Sequence, residues 1–356
     1  MTQWLAKQFF SNLLDPPYLS TRLMDIRKLT VYLHAADILI IGFAFLLSLM
    51  NIVFAARIPL WWLLILINLA SSVLICWLAI ARHRTGSRAL RIIHEWYHGL
   101  VVFISFKELY FMIKPIHFGR DYDDVLILID KWLFGVNPTE WIAQFANPFI
   151  TEILQIAYTS FYFLFLIVGY EFYKRKQIDL FLYFMFTIIY GFFLSYCGYF
   201  FLPAVGPRFT LHDFPLLDSE LPGVFLTSYF RWFVNTGGSV PLGVPNDIAI
   251  TGAQRDVFPS GHTMMTLVLV YLSAHFQVKS RYFIFTIGTL LIIATVYQRY
   301  HYVVDLVAGA IFMLICVSTS YPLYRYIKTK FQTIESRFPS VEPSSVEFPT
   351  PESIQM

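Results

Sequence analysis

Two short runs hold the residue types that covalent chemistry needs. Phe258-Pro259-Ser260-Gly261-His262-Thr263 places a serine, a glycine and a histidine at the mouth of one apolar segment, and His301-Tyr302-Val303-Val304-Asp305 places a histidine and a carboxylate at the mouth of another. Ionisable groups are expensive to keep at such positions in a membrane protein, so the default reading is a reaction site. Ser260 is a good N-cap, which predicts a helix from Gly261. The first N–H groups of that helix lack internal partners and form a natural phosphate site. Gly261 is expected to let the anion approach the backbone, with His262 touching the same anion from the first turn. His301 and Asp305 are four apart, one turn along one helical face. A carboxylate there can accept the imidazole Nδ1–H, leave Nε2 bare as a nucleophile and steady the positive ring that forms on attack. The bland alternatives are an ordinary capped helix with an interfacial histidine and a snorkelling Asp beside another. Together the two runs suggest phosphoryl transfer through a histidine.

Such a transfer needs cations around the equatorial oxygens. Arg208, which follows Leu202-Pro203-Ala204-Val205-Gly206-Pro207, is the first choice; Arg255, Arg299 and Lys107 are further candidates. Lys107 is embedded in an apolar run beside Glu108. Adjacent helical residues diverge, so these two need not pair, and Lys107 is either a site residue or an ion held by another helix.

Composition says where such a site sits. Hydrophobic residues make up 57% of the 356-residue chain and charged residues 14%, against about a quarter charged in soluble proteins. The net charge of +3 is too small to argue for nucleic acid. Cys76, Cys197 and Cys316 fall inside apolar runs and read as small buried hydrophobes. The N-terminus has no cleavable signal pattern. Segments of about 20 apolar residues predict eight spans: Ile38–Ala56, Pro59–Ile80, Trp96–Ile113, Ile153–Tyr170, Leu180–Leu202, Gly261–Val278, Tyr282–Tyr297 and Val303–Tyr321. Basic residues crowd alternate connections, such as Arg82, Arg84, Arg88 and Arg91, then Lys174, Arg175 and Lys176. That side is expected to be cytoplasmic. Both termini then face the cytoplasm, and His262 and His301 meet on the opposite face.

The fold class expected is therefore an all-α integral membrane protein. Residues 1–37 form a cytoplasmic segment, 38–92 two additional N-terminal spans, 93–325 a six-helix core and 326–356 a disordered tail rich in Pro, Ser and Glu. Asp121–Lys131 reads as helical or irregular structure at the outer interface. Residues 203–258 are too long for a simple connection and too aromatic for full disorder, and are expected to form a lid that touches the lipid surface.

Pro259-Ser260-Gly261-His262 and His301-x3-Asp305 resemble the second and third signatures of the type 2 phosphatidic acid phosphatase superfamily. The resemblance covers roughly residues 96–322 and implies a six-helix core, a phosphorylated lipid substrate in the bilayer, no metal or other cofactor, and a phosphohistidine intermediate. By the same resemblance His301 is the nucleophile, Asp305 its orienting partner and His262 the acid that protonates the leaving oxygen. The first signature, a Lys followed after six residues by Arg-Pro, is absent, and Thr295 stands where an Arg usually precedes the histidine. The runs around Thr295–Ala310 and Ile129-Asp130-x3-Phe134-Gly135-x2-Pro138 look more like the inositol phosphorylceramide synthase branch, which moves a phosphorylated headgroup between lipids. A different class is raised by His94-Glu95-Trp96-Tyr97-His98, which matches the H-E-x-x-H of zinc proteases. It has no evident third ligand in sequence and belongs to the cytoplasmic end. His34, His83, His117, His212 and His275 have no partner pattern.

Overall fold

A computed structural model describes residues 29–332, which are helical with no strand among them. Of the expected cytoplasmic segment 1–37, residues 1–28 lie outside the described residues, and the first long helix already begins at Ala35. Of the expected disordered tail 326–356, residues 326–332 continue the last helix and the rest lie outside the described residues. Two apolar helices open the fold, α1 (Ala35–Val53) and α2 (Trp61–Thr85), and pack on each other. After Gly86, whose φ of +63° closes α2, come α3 (Arg88–Trp96) and α4 (His98–Ile116). Phe45, Leu69 and Leu74 stay more than half exposed, as lipid-facing side chains do. In lipid, apolar surface gains nothing by leaving its surroundings, so polar contacts and close packing must hold helices together. Asn51 of α1 and Asn68 of α2 each donate to Glu108 Oε1 of α4, both at 2.8 Å. Glu108 thus faces the N-terminal pair while its neighbour Lys107 points elsewhere, as their divergence on a helix requires.

Two amphipathic pieces follow, α5 (Asp123–Phe134) and α6 (Pro138–Ile142), and then α7 (Pro148–Thr159) and α8 (Phe161–Lys174). The expected straight span Ile153–Tyr170 is instead this last pair, bent by 51°. At the bend Thr159 Oγ1 donates to Gln155 O (2.8 Å) and Ser160 Oγ to Ala157 O (2.7 Å). Hydroxyls that take helix carbonyls in this way bend the backbone. The buried helix α9 (Ile178–Gly198) precedes the connection expected to be a lid.

That connection is folded. It holds α10 (Pro207–Thr210), α11 (Leu217–Glu220), α12 (Thr227–Gly237) and α13 (Asn246–Gly252). Glu152 of α7 accepts the N–H groups of Val224, Leu226 and Thr227 at 3.0, 2.6 and 3.1 Å, capping the start of α12. Arg231 ties the lid together through Asp218 (2.6 Å), Leu221 O (2.8 Å) and Gln298 Oε1 (2.9 Å). Phe225, Tyr229, Trp232 and Phe233 are left exposed on it.

The chain ends in α14 (Gly261–His275), α15 (Arg281–Tyr297) and α16 (Val303–Gln332). α14 is the centre of the bundle, packed by α8, α9, α15 and α16. α16 closes on it through Gly309, where a Cβ would fall 2.7 Å from Ser260 O. Among the described residues four helices (α1, α2, α9 and α16) are long and apolar enough to cross a membrane, five if the bent pair is one span. α4, α14 and α15, which sequence reading counts as spans, fall outside that set, and α14 has only 15 residues. The apolar helices make this a membrane protein.

Candidate active site

α14 begins where Ser260 accepts the Thr263 N–H at 3.2 Å. The Ser260 N–H in turn donates to Asp305 O at 3.0 Å, so the two sequence runs are joined through their backbones. Ser260 and Gly261, expected to bind phosphate, do not line the cavity that His262 enters. Ser260 is fully buried, and a Cβ on Gly261 would lie 2.3 Å from Tyr199 Oη and 3.0 Å from Ser195 Oγ. The glycine lets the side chains of α9 approach. His262, one residue on, does reach a cavity. Its ring stacks on Tyr158 (4.6 Å between centroids) and packs against Phe161 (4.5 Å).

His301 arrives from the other side, on the turn between α15 and α16. The N–H groups of Tyr300 and His301 both donate to Thr295 O, at 2.9 and 3.0 Å. Thr295 is buried and its carbonyl closes the end of α15. The two imidazoles face each other with ring centroids 5.9 Å apart. His301 Nδ1 lies 3.0 Å from the carbonyl oxygen of Val257.

This corrects the role expected of Asp305. Its Oδ2 stands 3.5 Å from His301 Nδ1 but accepts the Tyr302 N–H at 2.8 Å. The free N–H groups at the start of α16 compete for the carboxylate and win it. Asp130 takes the next two, from Val303 (2.8 Å) and Val304 (2.9 Å). Asp123 accepts from Val205, Gly206 and Tyr302 Oη, at 3.0, 2.8 and 2.8 Å, and so holds the Pro203–Pro207 loop against α16. Asp305 is fully buried behind the imidazole, with Oδ1 unpartnered.

The cavity between the histidines measures about 310 Å³. Its polar end is Arg208, Asp256, His262, Tyr300 and His301; its apolar wall runs along Gly99, Phe103 and Phe106 of α4 and Phe161 and Tyr162 of the bent pair. Arg208 donates to Asn235 Oδ1 at 2.7 Å and lies over the Tyr300 ring at 4.9 Å. The other basic candidates do not line the cavity. Arg255 is saturated by Asp121 (3.0 and 2.9 Å) and by carbonyls of its own loop. Arg299 pairs with Glu220. Lys107 reaches Ser239 Oγ (2.7 Å) and Gly237 O, pinning the end of α12 to α4.

Asp256 escaped sequence reading, as did Tyr158 and Tyr300. Burial raises the Asp256 carboxyl, while His301 and Arg208 pull it back down. Burial likewise lowers His301 to about 4; the nearby Asp256 charge and the Val257 carbonyl oppose this, and Arg208 adds to it. A neutral imidazole with Nδ1 engaged presents Nε2 to a bound electrophile. The one sequence signal for Asp256 is that it lies just ahead of the Phe258–Thr263 run.

The family model described as PAP2 superfamily matches residues 125–319. No curated protein and no solved structure matches the chain.

Proposed function

The chain belongs to the PAP2 superfamily, and on that premise we propose that this membrane protein, a phosphatase-type enzyme of lipid metabolism, transfers phosphoryl or phosphorylated headgroups through a covalent histidine. In this reading His301 Nε2 attacks phosphorus in line and the P–O bond to the donor alcohol breaks. The leaving oxygen takes a proton from His262. An acceptor then gives its proton back to His262 and attacks the phosphohistidine, freeing His301. Arg208 balances charge on the equatorial oxygens. Asp305 supports the positive ring from behind, and the chemistry at this pair calls on no metal. Water as acceptor makes a phosphatase; an alcohol makes a headgroup transferase of the inositol phosphorylceramide synthase kind.

The observation that carries the reading is the pair of imidazoles at one end of a cavity whose other wall is aromatic and apolar. A phosphate ester fits the first part and an acyl chain the second. In this reading α1 and α2 are additions to a six-helix core, both termini are cytoplasmic and the histidines lie on the opposite face. Asp130 caps the helix that carries Asp305 and so helps to fix the site whichever acceptor is used.

The test is rapid acid-free quenching of pure enzyme with phosphorus-labelled phospholipids, with and without alcohol acceptors. A base-stable, acid-labile phosphoenzyme is expected in the native chain and none in His301→Ala. Labelled lipid product that appears only with an alcohol identifies transfer; labelled phosphate alone identifies hydrolysis. Full turnover in folded His301→Ala ends the proposal.

A further inference from the structure

The H-E-x-x-H run, outside the cavity, acquires partners in three dimensions that spacing does not reveal. His34 stands immediately before α1 and Asp37 lies in its first turn; His94 is in the last turn of α3 and His98 opens α4. His34, Asp37 and His94 each offer a donor atom within 4.8 Å of the others. His94 Nε2 is 3.1 Å from Asp37 Oδ2, and His98 Nε2 is 3.9 Å from Asp37 Oδ1. Asp37 and His94 are fully buried and His98 is 1% exposed. We propose that these four side chains hold one divalent transition-metal ion, zinc by its ligand chemistry, as a structural clip between α1 and the α3–α4 joint.

Three observations beyond proximity support it. First, the His94 Nδ1 and the His98 Nε2 are buried without a hydrogen-bond partner. Buried polar atoms left in this state are costly and rare. Second, the tautomer of His98 is set. Its Nδ1 lies 3.1 Å from Glu95 O and must carry the proton to bond that carbonyl, which leaves Nε2 as a lone pair facing a carboxylate oxygen. Two acceptors face each other, and a cation between them resolves the conflict. An imidazole tied to a backbone carbonyl is also the usual support of a metal-binding histidine. Third, Asp37 is oriented from both sides, by the His34 N–H (2.7 Å) and by Tyr97 Oη (2.6 Å), with lone pairs to spare.

Zinc bonds of about 2.0–2.1 Å put neighbouring ligand atoms roughly 3.4 Å apart in a tetrahedron. The His94–Asp37 pair already meets that spacing, and His98, 3.9 Å from Asp37 and outside the close group of three, must move inward to complete the set. Four protein ligands in a buried pocket form a closed site, which is structural rather than catalytic. Glu95 fits that role too: its carboxylate interacts with Tyr173 of α8, where a protease would need it above the metal. Since α4 also lines the cavity from Gly99 onward, the clip would hold one cavity wall in place.

The test uses the full chain, tag-free, purified in detergent without chelator. Elemental analysis should find about one zinc per chain in the native protein and at least tenfold less in the Asp37→Asn/His94→Gln pair. Should that variant fail to fold, the native chain decides. Loading with Co²⁺ should give the visible absorption of a tetrahedral nitrogen–oxygen site, and His98→Gln should shift it. Chelator should lower the melting temperature and Zn²⁺ restore it. A native chain that carries no metal and does not shift on adding Zn²⁺ or Co²⁺ overturns the proposal, as does zinc retained in full by the folded double variant.

Discussion

His301 is held by a backbone carbonyl, and this changes what its carboxylate neighbour is expected to contribute. Where a carboxylate sets the tautomer as well as the charge, its amide replacement costs about 10⁴-fold. Here Val257 O is the Nδ1 partner and Asp305 sits 3.5 Å off. Asp305→Asn keeps an oxygen to accept the Tyr302 N–H, so the fold should persist while kcat falls by about 10²-fold, smaller than a tautomer loss. Steady-state kinetics beside a melting curve checks both halves. The lowered pKa of His301 gives a second expectation. The native chain keeps this ring neutral down to about pH 4, whereas an unfolded histidine titrates near 6.5. Between those values the unfolded chain binds the extra proton, so this group's contribution to stability falls as pH falls through the window. The acid limb of kcat/KM assigned to His301 should lie well below pH 6.5, and a pH–rate profile with half-loss near 6.5 would contradict it. His262, His301 and Asp305 were legible in sequence because their order along the chain already implied one mouth of the bundle. The jobs of Asp305, Gly261 and Arg255 were not, because Tyr302, Tyr199 and Asp121 compete for them and are remote or unremarked in sequence.

Among the elements, α1, α2, α9 and α16 could be read from apolar length alone. The bend between α7 and α8 could not, since it comes from hydroxyls that take backbone carbonyls rather than from proline or glycine. Nor could the fold of residues 203–258 be read, whose short helices are fixed by Glu152, Arg231 and Lys107 from or toward distant positions. The bend matters because α4 and the α7–α8 pair form the two sides of the apolar wall. Gly99 has open space around its missing Cβ, and its backbone needs no glycine. Gly99→Phe should therefore fold normally and narrow the cavity. We expect kcat/KM for a long-chain lipid phosphate to drop about tenfold, roughly the 1–3 kcal/mol that a hydrophobic pocket discriminates, with a short water-soluble phosphate ester little affected. Equal losses on both substrates would mean that acyl chains do not use this wall.

Across the whole molecule the helices differ in reach. At about 1.5 Å per residue, the 15 residues of α14 extend roughly 22 Å, while a hydrocarbon core is about 30 Å thick. The 25 residues of α2 exceed that thickness. α14 itself is enclosed by its neighbours, but α15 beside it, which leads to His301, has 17 residues and exposes Phe283, Phe285 and Ile293, so this face too is shorter than an average bilayer. Lipid beside the short face must compress to meet it. A headgroup there sits nearer the imidazoles before any binding step, so the membrane itself delivers part of the approach. Reconstitution into vesicles of increasing acyl length should then slow turnover of a fixed substrate, while bilayers of short acyl length should speed it. A rate indifferent to membrane thickness would show that the short face of α15 deforms nothing around it.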